Sequence, residues 1–273
     1  MRKSGIIPAI LIMTCFLMAV ACNQNNQEQV ADPMTAPSLP LVFEDQYFKK
    51  QSPNCKSDTV SCATVQARYL LAAGGPDSVR QKINDTLMHY LKAALAVYAV
   101  EDEEFRIPLD KVAERFIADY DGLRKDNPAY DMPWEVETAG KILYQSPKLV
   151  SIQYDTYSNT GGAHPNAFVC LLVLDKITGN KLKLSDFITD LSRLEKIAEK
   201  HFRNVHGLNQ KQSLDDAGFF WGEAFSLPDN FAFLDGGLYL YYNNYDVAPY
   251  AAGPTEFTIP LSELEGLLSS KFF

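Results

Sequence analysis

The sequence predicts an α+β fold: antiparallel sheets with inserted helices, arranged as two closely associated subdomains. Three observations carry that expectation. Strand-like runs cluster, whereas a doubly wound sheet would alternate strands strictly with helices. Turn signals at Ser146-Pro147 and at Asp235-Gly236-Gly237 sit between apolar runs at hairpin spacing. Two segments with apolar residues at helical spacing interrupt the first group of strands. No repeat period is evident, which disfavours solenoids and propellers. The 273 residues, 47% of them hydrophobic, are enough for a core of this size.

In chain order, residues 1–21 read as a lipoprotein signal peptide. Arg2 and Lys3 precede an apolar run, Ile6 to Val20, that is too short for a membrane span. The run ends in Ala19-Val20-Ala21-Cys22, which resembles a lipobox with alanine where leucine is usual. Cys22 is therefore expected to carry lipid, the alternative being an ordinary secretory signal cleaved nearby. Residues 22–40 are polar and contain proline, the composition of a flexible tether. Together these place the chain in the cell envelope, lipid-anchored, at an outer membrane facing the periplasm or at the cell surface. The membrane is then one partner, reached through the lipid.

The N-terminal subdomain, 41–150, begins with strands over Leu41–Lys49 and Val60–Leu71. Cys55 and Cys62 flank the turn between them, and an oxidising envelope favours a local disulfide. A metal pair is the rival reading, but the four scattered histidines supply no companion ligands at metal spacing. A Gly-Gly-Pro break then leads into a helix capped by Asp77 or Ser78, with Val79, Ile83, Leu87, Tyr90, Leu91, Ala94 and Leu95 at helical spacing. A second helix starts near Pro108 and buries Val112, Phe116 and Ile117. The run from Pro133 to Asn159 reads as two antiparallel strands, with breaks at Gly140 and Ser146-Pro147. The C-terminal subdomain, 151–273, continues with a strand containing Cys170, a Thr178-Gly179-Asn180 turn and a short strand. A helix start capped by Ser185 or Asp186 and an amphipathic helix over Asp190–Val205 follow. A hairpin and a last strand running into a short helix complete it.

A net charge of −9 argues against nucleic acid, because phosphate binding needs a basic face. The acidic run Glu101–Glu104 is too short for an interaction tail.

Two stretches carry a family resemblance. One is Tyr154–Ile188, "YDTYSNTGGAHPNAFVCLLVLDKITGNKLKLSDFI"; the other is Leu238–Leu264, "LYLYYNNYDVAPYAAGPTEFTIPLSEL". They resemble the paired RsiV-like and PdaC-like extracellular module of bacteria, a domain pair of unknown function, here on a lipid anchor. The likeness spans most of Leu41–Phe273. It implies an extracellular binding or sensing module, and a lysozyme-like protein or peptidoglycan glycan as its partner. It assigns no catalytic residue to the module, and the chain lacks the Asp-Asp and H-x₃-H ligands of a polysaccharide deacetylase. No catalytic residue, metal site or cofactor is expected.

The loop Thr160-Gly161-Gly162-Ala163-His164-Pro165-Asn166 has no P-loop lysine and no following helix to hold a phosphate. Its glycines read as turn chemistry, with Asn159 or Asn166 closing an Asx-turn and His164 turned inward to hold the loop. The functional reading is a recognition loop in which Tyr154, Tyr157, His164 and Asn166 contact a partner. In "YYNNYDVAPYAAGP", Tyr245 and Tyr250 form either a binding platform or, with Tyr241 and Tyr242, a cap on the core. Glu195 and Glu199, interleaved with Lys196 and Lys200, read as a solvated helix face. His201 and His206 read as exposed or helix-end residues. No nucleophile motif supports the alternative of an envelope hydrolase acting on peptidoglycan.

Overall fold

In the computed structural model, which describes residues 40–53, 55, 62–96 and 106–272, the chain opens with an antiparallel pair. β1 (Val42–Gln51) runs against β2 (Ala63–Ala73), and the disulfide Cys55–Cys62 closes the connection with a Cα–Cα distance of 5.4 Å. The expected signal peptide, Cys22 and the tether as far as residue 39 lie outside the described residues. So do Val60 and the acidic run Glu101–Glu104. Constraining so short a loop removes unfolded-state entropy. Reduction is expected to lower the unfolding free energy by about 2.5 kcal/mol, read from urea melts with and without reductant.

Two helices, α1 (Asp77–Ala96) and α2 (Leu109–Asp126), then carry the chain back to β3 (Trp134–Gln145), which pairs parallel with β2. This parallel pair departs from the purely antiparallel expectation. Its cause is the connection: α1 and α2 here return the chain to the end of the sheet where β2 begins, which a hairpin cannot do. β4 (Leu149–Asn159) and β5 (Asn166–Asp175) follow by antiparallel pairing and complete the order β1-β2-β3-β4-β5. The expected subdomain border at 150/151 therefore falls inside β4. Register places β4 and β5 with the N-terminal strands, and the first sheet ends at Asp175.

The expected break at Gly140 is also corrected. β3 runs through it, and Gly140 stands opposite Tyr154. A Cβ at Gly140 would lie 2.6 Å from Cε1 of Tyr154, so the glycine makes room for that ring. Alternate residues of the sheet face the helices. Leu70, Ala72, Val150, Ile152, Tyr154, Leu172 and Leu174 pack on Val79, Ile83 and Leu87 of α1. Val65, Ala67 and Val136 pack on Phe116, Ile117 and Tyr120 of α2.

A second sheet of β6 (Phe231–Leu234), β7 (Gly237–Tyr242) and β8 (Thr255–Pro260) follows the hairpin and last strand read from the sequence. One of its faces, with Phe231, Phe233, Leu238, Leu240, Phe257 and Ile259, buries Leu194, Ala198 and Phe202 of α4 (Leu191–Val205). Asp190 caps α4 by accepting a hydrogen bond from the Arg193 amide at 2.9 Å. The other face sets Ala232 and Tyr241 against Leu171 of β5. A single turn, α3 (Leu184–Phe187), precedes α4, and the short strand expected before it is one bridge, Leu174 to Lys181. The closing helix is a 3₁₀ turn, Leu261–Leu264. Among the described residues no helix is long and apolar enough to cross a membrane.

Candidate functional site

The face of the first sheet turned away from α1 and α2 is only partly covered by the second sheet. Two asparagines fasten that cover along the edge of β5. The Asn243 carboxamide accepts from the Val169 amide at 2.7 Å and donates to its carbonyl at 3.0 Å. Asn230 accepts from the Leu171 amide at 2.7 Å and donates to the Val169 carbonyl at 2.9 Å. Each side chain thus replaces a strand partner and satisfies groups the edge would leave open.

Beyond this cover the face is open. Register places Glu137, Tyr157 and Ala167 in one cross-strand row and Ala139, Asp155 and Val169 in the next. These rows floor a groove of about 390 Å³ walled by Tyr241, Asn244 and Pro254. Asp155 accepts from the Gln153 carboxamide at 2.6 Å and lies 3.2 Å from the Lys141 ammonium. Glu137 accepts from Gln66 at 3.2 Å. Burial, reinforced by the carboxylates of Glu256, Asp155 and Asp246, pushes the Tyr241 hydroxyl up to about 12, so it remains a neutral donor near neutral pH. The buried Oδ1 of Asn244 has no hydrogen-bond partner among the described residues.

Next to the groove the two signature segments meet. The His164 ring stacks on Tyr250 at 3.8 Å between centroids and 18° between planes. Its Nδ1 lies 3.0 Å from its neighbour's carbonyl, Pro165 O, and Nε2 lies 3.5 Å from the Tyr245 hydroxyl. These contacts fit one tautomer, with Nδ1–H donating to the carbonyl and Nε2 accepting from tyrosine. Tyr250 also donates to Pro165 O at 3.0 Å, and its ring lies 5.7 Å from that of Tyr245. Tyr245 is 54% exposed and holds a left-handed φ of +70°.

The expectation that His164 turns inward is thus corrected: it is exposed and braced against tyrosines of a loop remote in sequence. The loop glycines do serve the turn. Gly161 has φ +76°, and Asn159 Oδ1 accepts from its amide at 3.1 Å. A Cβ at Gly161 would overlap the Tyr130 hydroxyl, which itself accepts from the Trp134 indole at 2.9 Å. Tyr154 does not belong to the surface. It is 1% exposed, with its hydroxyl pushed up by burial, so it is a core residue that no partner can touch. Tyr157 is exposed on the groove floor, and Asn166 is exposed at the start of β5. Tyr241 and Tyr242 are buried, so the tyrosine-rich segment divides between core and surface. His206 ends α4 with Nε2 3.0 Å from the Thr255 hydroxyl, and His201 lies 3.2 Å from both carboxylate oxygens of Glu263. Among the described residues no three His, Cys, Asp or Glu side chains converge as a metal site.

Sequence reasoning missed Asn230 and Asn243 as edge partners, and Asn244 and Pro254 as groove wall. The Asn-Asn pair beside the tyrosines was the available signal, but its target strand lies far away in the chain.

Two family models match the chain. One described as Deacetylase PdaC covers residues 55–167, and one described as Protein of unknown function (DUF3298) covers residues 185–262. No curated protein matches it. The crystal structure of a DUF3298 family member from Bacteroides fragilis is 20% identical, with a TM-score of 0.62 over 84% of this chain and 94% of that one. A DUF3298 family protein from Pseudomonas aeruginosa is 23% identical, with a TM-score of 0.57 over 86% of this chain and 97% of that one. At such identities the likeness shows the fold alone. The rim formed by His164, Tyr245 and Tyr250 joins the end of the first matched region to the second.

Proposed function

Since the chain is a paired PdaC and DUF3298 module, we propose that it is a non-enzymatic binding or sensing module of the cell envelope. In this reading it is lipid-anchored through Cys22 and holds a protein ligand on the aromatic rim and its groove. One observation carries the proposal: exposed His164 and Tyr245, packed with half-buried Tyr250, beside an open groove. A left-handed tyrosine costs on the order of 1 kcal/mol, and Tyr245 recovers little of that by burial. Rigid aromatic anchors of this kind dominate interface energetics.

The net charge of −9, with Glu137 and Asp155 at the groove, favours a cationic partner, which a lysozyme-like protein is. Peptidoglycan glycan is the second ligand, favoured by the tyrosine faces available for stacking. The hydrolase alternative needs His164 and a carboxylate in one pocket. Glu137 and Asp155 line the groove, whereas His164 is held outside it by Pro165 and Tyr245.

Calorimetric titration of the purified chain with lysozyme and with soluble peptidoglycan fragments tests the reading. Binding at micromolar concentration is expected for at least one. Tyr245→Ala combined with Tyr250→Ala is expected to weaken it at least ~10-fold without lowering the melting temperature by more than a few degrees. No heat with either ligand removes both named partners.

A further inference from the structure

We propose a second binding site, for a neutral carbohydrate, in the cleft between α4 and the segment 213–225. It does not depend on the rim. Ser192, Glu195 and Lys196 share one stripe of α4, which the sequence presents as a solvated face. In the fold that stripe walls a cleft of about 680 Å³, opposite Ser213, Asp215 and Glu223. The volume lies within the ~300–1,000 Å³ usual for small-molecule sites.

The cleft is built around a buried arginine. Arg203 is 7% exposed and grips Glu199 Oε1 through Nε at 2.9 Å and Nη2 at 2.7 Å. Its Nη1 donates to the carbonyls of Asn209 at 3.2 Å and Gln212 at 2.7 Å. The guanidinium therefore fixes the chain that leads into the far wall and neutralises Glu199. Lys196 and two serine hydroxyls supply donors, while Glu195, Asp215 and Glu223 supply acceptors. Leu214 and Phe225 add apolar surface.

At this cleft the backbone takes a costly path. Phe220, Trp221 and Gly222 have φ of +61°, +54° and +88° in succession. Phe220 is compensated, being 5% exposed, packed on Phe202 and Phe225, and donating its amide to Val247 O at 2.7 Å. Trp221 is 58% exposed, so folding offers no such return for its strain. Trp221 adjoins Gly222 of the cleft wall in the chain without itself lining the cleft, and an exposed indole at that border suits the C–H face of a sugar ring. The mixed donors and acceptors suit its hydroxyls. Three carboxylates repel an anion, and a simple cation would use only those carboxylates. A hydroxyl-rich ring that donates to Glu195, Asp215 and Glu223 and accepts from Lys196 uses both kinds of group in the lining.

Tryptophan emission of the full chain provides the test, because Trp134 is buried and Trp221 is not. The probes are two neutral tetrasaccharides, fully N-acetylated chitotetraose and cellotetraose, with spermidine as the cationic control. A saturable shift with at least one sugar, unaffected by added salt, is expected. Calorimetry should show at least ~10-fold weaker sugar binding for Trp221→Ala and unchanged binding for Tyr47→Ala, an exposed residue of β1 remote from both sites. Silence with both sugars, or a salt-sensitive response to spermidine alone, overturns the proposal. So does sugar binding that survives Trp221→Ala, including binding lost in Tyr245→Ala instead, which would move the sugar to the rim.

Discussion

Phe202→Ala is expected to lower the unfolding free energy by ~3–5 kcal/mol. The ring is fully buried, with the rings of Phe219, Phe220, Phe225, Tyr242 and Phe257 between 5.1 and 6.5 Å away. These neighbours come from β7, β8 and the 219–225 segment, so one side chain joins α4 to everything that packs on it. Truncation leaves a void lined by rigid rings, which relax poorly into it. Phe220 would also lose part of the packing that holds its left-handed backbone. Urea denaturation reads the effect as a lower midpoint at unchanged slope. A loss below ~1 kcal/mol would mean that this core is looser than its geometry implies.

The second large effect is expected for Arg203→Ala, also ~3–5 kcal/mol. Removing a buried guanidinium leaves the carbonyls of Asn209 and Gln212 and the Glu199 carboxylate without their donor. Glu199 retains one-third of its side-chain exposure, so water recovers part of that loss. Arg203→Lys should rescue only in part, because one ammonium cannot reproduce a planar fork serving three acceptors. Equal stability of the lysine variant and wild type would show that charge alone matters there.

The helices were legible because their apolar spacing depends only on neighbours in the chain. Val79, Ile83, Leu87, Leu91 and Leu95 do form the buried stripe of α1. The hairpin at Gly236-Gly237 was legible for the same reason. Gly140 was misread because a glycine within a strand means a break or a seat for a ring, and the difference lies on the opposite strand. Tyr154 was misread because tyrosine suits either core or surface, and its parity in β4 depends on where the helices settle. The parallel β2–β3 pair was hidden because two helices can return the chain to either end of the sheet. The rim was least legible of all. His164 and Tyr245 are 81 positions apart, and their loops are brought together by the asparagine-bound edge of β5 and by Tyr250, which donates to Pro165 O. Trp221 gave no local signal either, since a Phe-Phe-Trp-Gly run reads as core until the backbone angles are known.

The most direct test of the rim as a binding surface is hydrogen–deuterium exchange of the full chain with and without lysozyme. Slowed exchange is expected in residues 157–168 and 243–254, with little change in α1 and α2. Protection confined to α1 and α2, or none in either loop when lysozyme is bound, would contradict the rim as the place where a partner docks.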